Sequence, residues 1–280
     1  MTTTASVVDR SSLAGKLSMV VSDSMTIAKR GIIKIKRVPD VLVFSTLSPI
    51  MFVLLFAYIF GSAIDVPGVS YREFLIAGIF AQTVVFGASF TGAALAEDMQ
   101  KGIIDRFRSL PMAPSAVLIG RTLSDVVINV VSLTVMSLTG LAVGWRIRGS
   151  FLDAVLAYVL LLLFAYAVSW IMAFVGLLVR TPEVFNNASF IVVFPLTFIG
   201  NTFVPSEKLP SVLRVIAEWN PVSALTQASR DLFGNTDPLA APPTAWALRN
   251  PELTTLIWVV VIMVIFVPLS IRQYKKTVSR

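Results

Sequence analysis

Residues 74–125 read FLIAGIFAQTVVFGASFTGAALAEDMQKGIIDRFRSLPMAPSAVLIGRTLSD, an apolar run that yields at Glu97 to a charged stretch before apolar character returns near Val117. The first part, Phe74 to Ala96, is close to the ~20 residues that a helix needs to cross a hydrocarbon core. The second, Glu97 to Asp125, contains no nucleophile beside a base, no metal-binding cluster and no phosphate loop. It reads as a docking surface between two membrane segments rather than a catalytic one.

The same pattern recurs outward in both directions. Hydrophobic residues make up 56% of the 280 positions and charged ones 14%, too little polar surface to cover a water-soluble globule. Six apolar spans are expected, at about 41–64, 74–96, 117–143, 154–179, 184–203 and 253–271. Their length and even apolarity favour helices over barrel strands. The fold class is therefore an all-α membrane protein. Residues 1–40 form an N-terminal region with no apolar core or cleavage site of a secretory signal, which is expected to be retained. Residues 272–280 form a tail.

Both ends and the Glu97–Asp125 segment fall on one side of the membrane, and that side carries sixteen of the 23 Lys and Arg. The excess of positive charge assigns it to the cytoplasm. A basic face beside anionic lipid also accounts for the net charge of +7 without a nucleic-acid partner. The absence of Cys and His excludes disulfides, histidine metal sites and Ser-His-Asp catalysis.

Met25 to Val38 has amphipathic spacing. Ile27, Ala28, Gly31, Ile32, Ile35 and Val38 share one side, while Lys29, Arg30, Lys34, Lys36 and Arg37 take the other. This predicts a helix lying in the membrane surface, with Pro39 ending it. Between the fifth and sixth spans, Val212, Val215, Ile216 and Trp219 fall at helical spacing, and Asn220-Pro221 should stop that helix. A second helix from Val222 to Phe233 would end at Gly234-Asn235. The pair is expected to form a short re-entrant segment or a cap, with a soluble outer loop as the alternative.

Lys16 lies in LAGKLS, which lacks the first glycine of a phosphate loop and has Leu17 where Ser or Thr would hold magnesium. ATP, if used, must be bound by another chain. No ionisable residue is expected within the apolar cores of the spans, which disfavours a carrier driven by an ion gradient. Gln82, Asn129 and Asn201 are the polar candidates for a substrate path. In the charged segment Ile103, Ile104 and Phe107 form an apolar ridge beside Lys101, Asp105, Arg106 and Arg108, and Leu110-Pro111 ends it. Such an element suits a groove on a soluble partner; an ordinary connecting loop is the plainer reading.

The run from Phe74 to Asp125 resembles the daunorubicin-resistance-type permease family of the ABC-2 type transporters. The resemblance is carried above all by Gly102, by Asp105-Arg106-Phe107-Arg108-Ser109-Leu110-Pro111, and by Gly120-Arg121 and Asp125. It extends to the basic helix, the first span and the stretch from Asn220-Pro221 to Arg230. The resemblance implies a six-helix membrane half that pairs with a second copy, in a homodimer, and with two separate ATPase subunits that bind ATP and magnesium. Gly102 to Pro111 would then be the coupling helix, and the protein a multi-pass exporter of hydrophobic or amphipathic small molecules in a bacterial plasma membrane. A lipid or polysaccharide exporter of the same architecture and an ion-gradient-driven carrier are the alternatives. No catalytic role falls to this chain.

Overall fold

The structure, a computed structural model, describes residues 13–37, 40–60, 68–104, 114–237 and 242–278. Every regular element among them is helical. In chain order these are α1 (Leu13–Arg37), α2 (Asp40–Leu55), which passes into a π-turn at Phe56–Phe60, α3 (Tyr71–Gln100), α4 (Pro114–Val143), α5 (Phe151–Gly176) and α6 (Pro182–Phe198). A 3-10 turn at Ser206–Lys208 leads to α7 (Ser211–Trp219), α8 (Pro221–Phe233), α9 (Trp246–Arg249) and α10 (Pro251–Val278).

Among the described residues, four helices are long and apolar enough to cross a membrane: α3, α4, α5 and α10. Their outward faces carry Val130, Leu138, Val155, Val159, Val260 and Val264 in the open, an exterior that water would not tolerate and lipid would. The first and fifth expected spans correspond to α2 with its π-turn and to the 17-residue α6. Most elements run past their expected limits. α3 continues through Glu97 to Gln100, α4 already begins at Pro114, and α10 extends into the expected tail.

The helix ends have local causes. Ser70 and Ser150 cap α3 and α5 at the same end of the bundle, each in a capping box with an acid three residues on, Glu73 and Asp153. At the other end of α3, Lys101 is the C-cap and Gly102 takes the left-handed conformation that terminates a helix, with φ of +64°. Asn220 caps α8, its side-chain oxygen accepting from Val222 N at 2.8 Å, and Pro221 follows at the first helical position.

α3 is the axis of the bundle, packed by α2, α4, α5, α6 and α8 and buried along most of its length. Small residues permit this: a Cβ on Gly176 of α5 would clash with the Gly92 carbonyl oxygen, and one on Gly92 would meet the Phe185 ring and the Met172 carbonyl oxygen. α8 is held inside the protein, between α3, α5 and α10, with nine of its thirteen residues buried.

α1 differs from its expected setting. Ser24, Ile27, Ala28 and Gly31 recur along one face and are buried against α4 rather than free to enter the acyl boundary. Ser124 Oγ donates to Ala28 O at 3.2 Å, and a Cβ on Gly120 would lie 2.6 Å from Ile27 Cβ and Ser24 O. Gly120→Val should therefore push α1 off α4, at a cost of about 1–3 kcal/mol. The chain has no cysteine of its own. An Ala28→Cys/Ser124→Cys pair should oxidise readily, and several-fold less once Gly120→Val is added; equal crosslinking would contradict this contact.

Candidate functional site

Two places combine buried polar groups with space. The first is a cavity of about 250 Å³ between α2, α3, α4 and α6. Six phenylalanines line it: Phe52, Phe86, Phe90, Phe190, Phe194 and Phe198. Phe190, Phe194 and Phe198 succeed one another every four residues on α6, with ring centroids 4.9 and 4.1 Å apart. Helical spacing makes them a continuous wall.

The polar atoms of this cavity come from Ser48, Gln82, Thr83 and Ser132. Gln82 is buried, yet its amide makes no hydrogen bond among the described residues, and the buried Thr83 hydroxyl is likewise without a partner. A buried hydroxyl left unpaired costs free energy, so a pocket that offers it beside the Gln82 amide is suited to a ligand with a matching donor or acceptor. Among the described residues no carboxylate or ammonium faces the cavity, so these residues offer a ligand dispersion, aromatic stacking and a few neutral hydrogen bonds.

Of the three residues expected on a substrate path, the structure places only Gln82 at this cavity. Asn129 sits behind Gly87, with its amide nitrogen donating to Asp125 O at 3.0 Å. Asn201 lies in the turn after α6, where its backbone N–H donates to Ser223 Oγ at 3.1 Å and its carbonyl accepts from Arg230 at 2.6 Å. It helps to join α8 to that turn.

The second place is the end of α3 and α4 that brackets the segment 101–113. Ile104 is buried in a small cluster with Leu95, Val117, Leu118, Trp170 and Tyr274. Gly102 and Ile103 precede it, while Asp105, Arg106, Phe107, Arg108, Leu110 and Pro111 lie outside the described residues. Lys101 pairs with Glu97 one turn back, and that hydrogen bond raises the pKa of the lysine. On α1, Lys29 and Arg30 are exposed; the side chains of Lys34, Lys36 and Arg37 lie outside the described residues, although helical backbone carries them.

Behind this end the structure reveals an ionic network. Arg121 of α4 forms an ion pair with Asp98 of α3. One turn further along α4, Asp125 is buried and accepts a hydrogen bond from Thr91 of α3. Arg121 and Asp125 belong to the continuous helix α4, at the start of the expected span 117–143, and both face α3. The signal was available in the spacing. Arg121 and Asp125 are four apart and Thr91 and Asp98 seven apart, so each pair shares a helix face once the helices are extended by a turn.

At the opposite end, Arg230 of α8 is 1% exposed. Its guanidinium donates to the carbonyls of Phe74, Asn201 and Thr202, at 2.9, 2.6 and 3.2 Å, and lies 3.5 Å over the Phe74 ring. Trp145 Nε1 donates to Asn235 Oδ1 at 2.7 Å, and Arg148 N and Gly149 N to Phe233 O. These bonds fasten the end of α8 to the α4–α5 connection. By contrast, α7 leaves Val212, Val215, Ile216 and Trp219 in the open, the residues whose helical spacing marks one apolar face.

Comparison with known proteins fits this architecture. The sequence pattern of the ABC-2 type transporter family matches residues 23–233. The daunorubicin resistance ABC transporter permease protein DrrB1 of Streptomyces coeruleorubidus is 38% identical over 216 residues, covering 77% of this chain and 76% of that relative. The putative transport permeases ycf38 of Cyanophora paradoxa and Porphyra purpurea are 22% identical over 220 and 224 residues. They cover 77% and 78% of this chain and 76% of each relative.

Proposed function

The chain belongs to the ABC-2 type transporter family, and from that premise we propose that it is the permease subunit of an ATP-driven exporter of hydrophobic or amphipathic compounds. Two copies of the chain would form the membrane channel. Two copies of a separate subunit would bind ATP and magnesium, for which this sequence offers no phosphate loop. In this reading α2 with its π-turn and α6 cross the membrane together with α3, α4, α5 and α10, giving six crossings. Both ends face the cytoplasm of a bacterial plasma membrane, and α7 and α8 form a re-entrant pair at the outer side.

Coupling is assigned to Gly102–Pro111. That segment joins α3 directly to α4, and the Asp98–Arg121 pair ties the two helices together just behind it. A push on the segment would then move both helices as one body. ATP drives export only if it favours one arrangement of the permease pair over another, so the link must carry free energy rather than simple contact.

The observation that carries the cargo class is the phenylalanine-lined cavity with its unpaired Gln82 amide. In the complex reconstituted in vesicles, Phe194→Ala should raise the half-saturating concentration of a planar aromatic cargo about fivefold to tenfold, the equivalent of one lost aromatic contact. Gln82→Leu should change the ranking among cargos that differ by one hydrogen-bonding group. Unchanged affinity and ranking in both variants would place the cargo elsewhere.

A further inference from the structure

Ile104, two residues past the turn at Gly102, returns into the protein and is buried. The cluster that receives it takes side chains from each of the four long apolar helices: Leu95 from α3, Val117 and Leu118 from α4, Trp170 from α5 and Tyr274 from α10. Tyr274 lies beyond the expected span 253–271 and is nevertheless buried, while Arg272 and Lys275 near it are exposed. Helical spacing accounts for this, since Phe266, Ser270 and Tyr274 share one face of α10. Ser270 Oγ donates to Trp170 O at 3.1 Å, and the Phe266 ring meets that of Phe174 edge to face, with centroids 5.9 Å apart. That face thus binds α10 to α5. At the other end of the bundle the same two helices enclose α8 together with α3.

Resting on the assignment of coupling to Gly102–Pro111, we propose that Tyr274 is a positioning residue for that coupling. Its ring fixes Ile104 within the cluster, so that a displacement of Ile104 passes to α5 and α10 as well as to α3 and α4. The chain itself joins Ile104 to α3 and α4, but α5 and α10 can be reached only through packing. Close-packed side chains pass a displacement on because little free volume remains to absorb it. Among the described residues Tyr274 is the buried member of this cluster that α10 supplies, so it commits that helix to Ile104. Movement at this end would then reach α8, which α10 helps to hold at the opposite end.

The test uses the full-length protein in lipid nanodiscs, in complex with the ATPase subunit that co-purifies with it. Because the sequence has no cysteine, a single bimane label can be placed on each chain. Leu253→Cys reports on α10 and Leu141→Cys on α4, both exposed and both at the end opposite Ile104. In the parent each label should change its fluorescence when ATP is added. Tyr274→Ala should reduce the α10 response about threefold or more, as substitutions along a packed route do, and leave the α4 response intact. Ile104→Ala should act in the same way, and the double variant should lose no more than either single one, as expected for two residues that share one contact. Lys275→Gln removes a charge from the same turn of α10 outside the cluster and should behave as the parent. A purely structural role for Tyr274 would instead weaken both responses together. That result, an undiminished α10 response in Tyr274→Ala, or an equal loss in Lys275→Gln would overturn the proposal alone, while Phe107→Ala/Arg108→Ala still abolished both responses. A parent complex in which neither label responds to ATP would overturn the coupling assignment and this proposal with it.

Discussion

Arg230→Met is expected to be the most destabilising single substitution, lowering the thermal midpoint of the detergent-solubilised protein by on the order of 10 °C. The reason is the number of groups that one side chain satisfies. Its guanidinium serves carbonyls from α3 and from the turn after α6, while the stem belongs to α8. Methionine fills similar volume but strands those buried acceptors, at about 1–3 kcal/mol for each one left unpaired. Loss of the contact over the Phe74 ring adds to this. Arg230→Lys should recover only part of the loss, because an ammonium on a flexible stem cannot reproduce a planar fork directed at several acceptors. A midpoint within 2–3 °C of the parent for Arg230→Met, where ~1 kcal/mol is worth about that much, would mean that the guanidinium does not hold α8 in place.

The second large effect is expected at the segment that joins α3 to α4. Phe107→Ala combined with Arg108→Ala should reduce efflux at least about tenfold while the protein still inserts in the membrane, because in the proposed coupling role the two supply an apolar anchor and a charged contact to the ATPase subunit. The structural basis lies at the ends of the segment. Gly102 turns the chain sharply out of α3, Ile104 is buried, and the Asp98–Arg121 pair holds the flanking helices. A double variant that leaves these anchors intact should fold normally, so a loss of efflux would report on coupling. Unchanged efflux in the double variant would count against the assignment.

Where the sequence was informative, the cause was local. Asn220-Pro221 and Gly234 delimit α8 because capping and the left-handed conformation depend on the residue itself. The face of Val212, Val215, Ile216 and Trp219 followed from helical periodicity alone. What could not be read were contacts between segments far apart in the chain. The partner of Arg121 lies 23 residues away and that of Arg230 as far as 156, and no periodicity specifies either. Arg121 and Asp125 fall within the expected span 117–143, but that each pairs with a group on α3 could not be read from their positions. The phenylalanine-lined cavity was not read from the sequence: Phe190, Phe194 and Phe198 recur every four residues, but Phe52 and Phe86 join them only through packing of α2 and α3 against α6.

An ion-gradient-driven carrier is the alternative from a different class, so the driving force is the central question. It is addressed most directly by isolating the tagged protein from its native membrane in mild detergent and identifying what co-purifies in stoichiometric amount. The account predicts a soluble subunit with a phosphate-binding loop, retained by the parent protein and lost from the Phe107→Ala/Arg108→Ala variant. Recovery of this chain alone, repeated after crosslinking in intact cells, would contradict it.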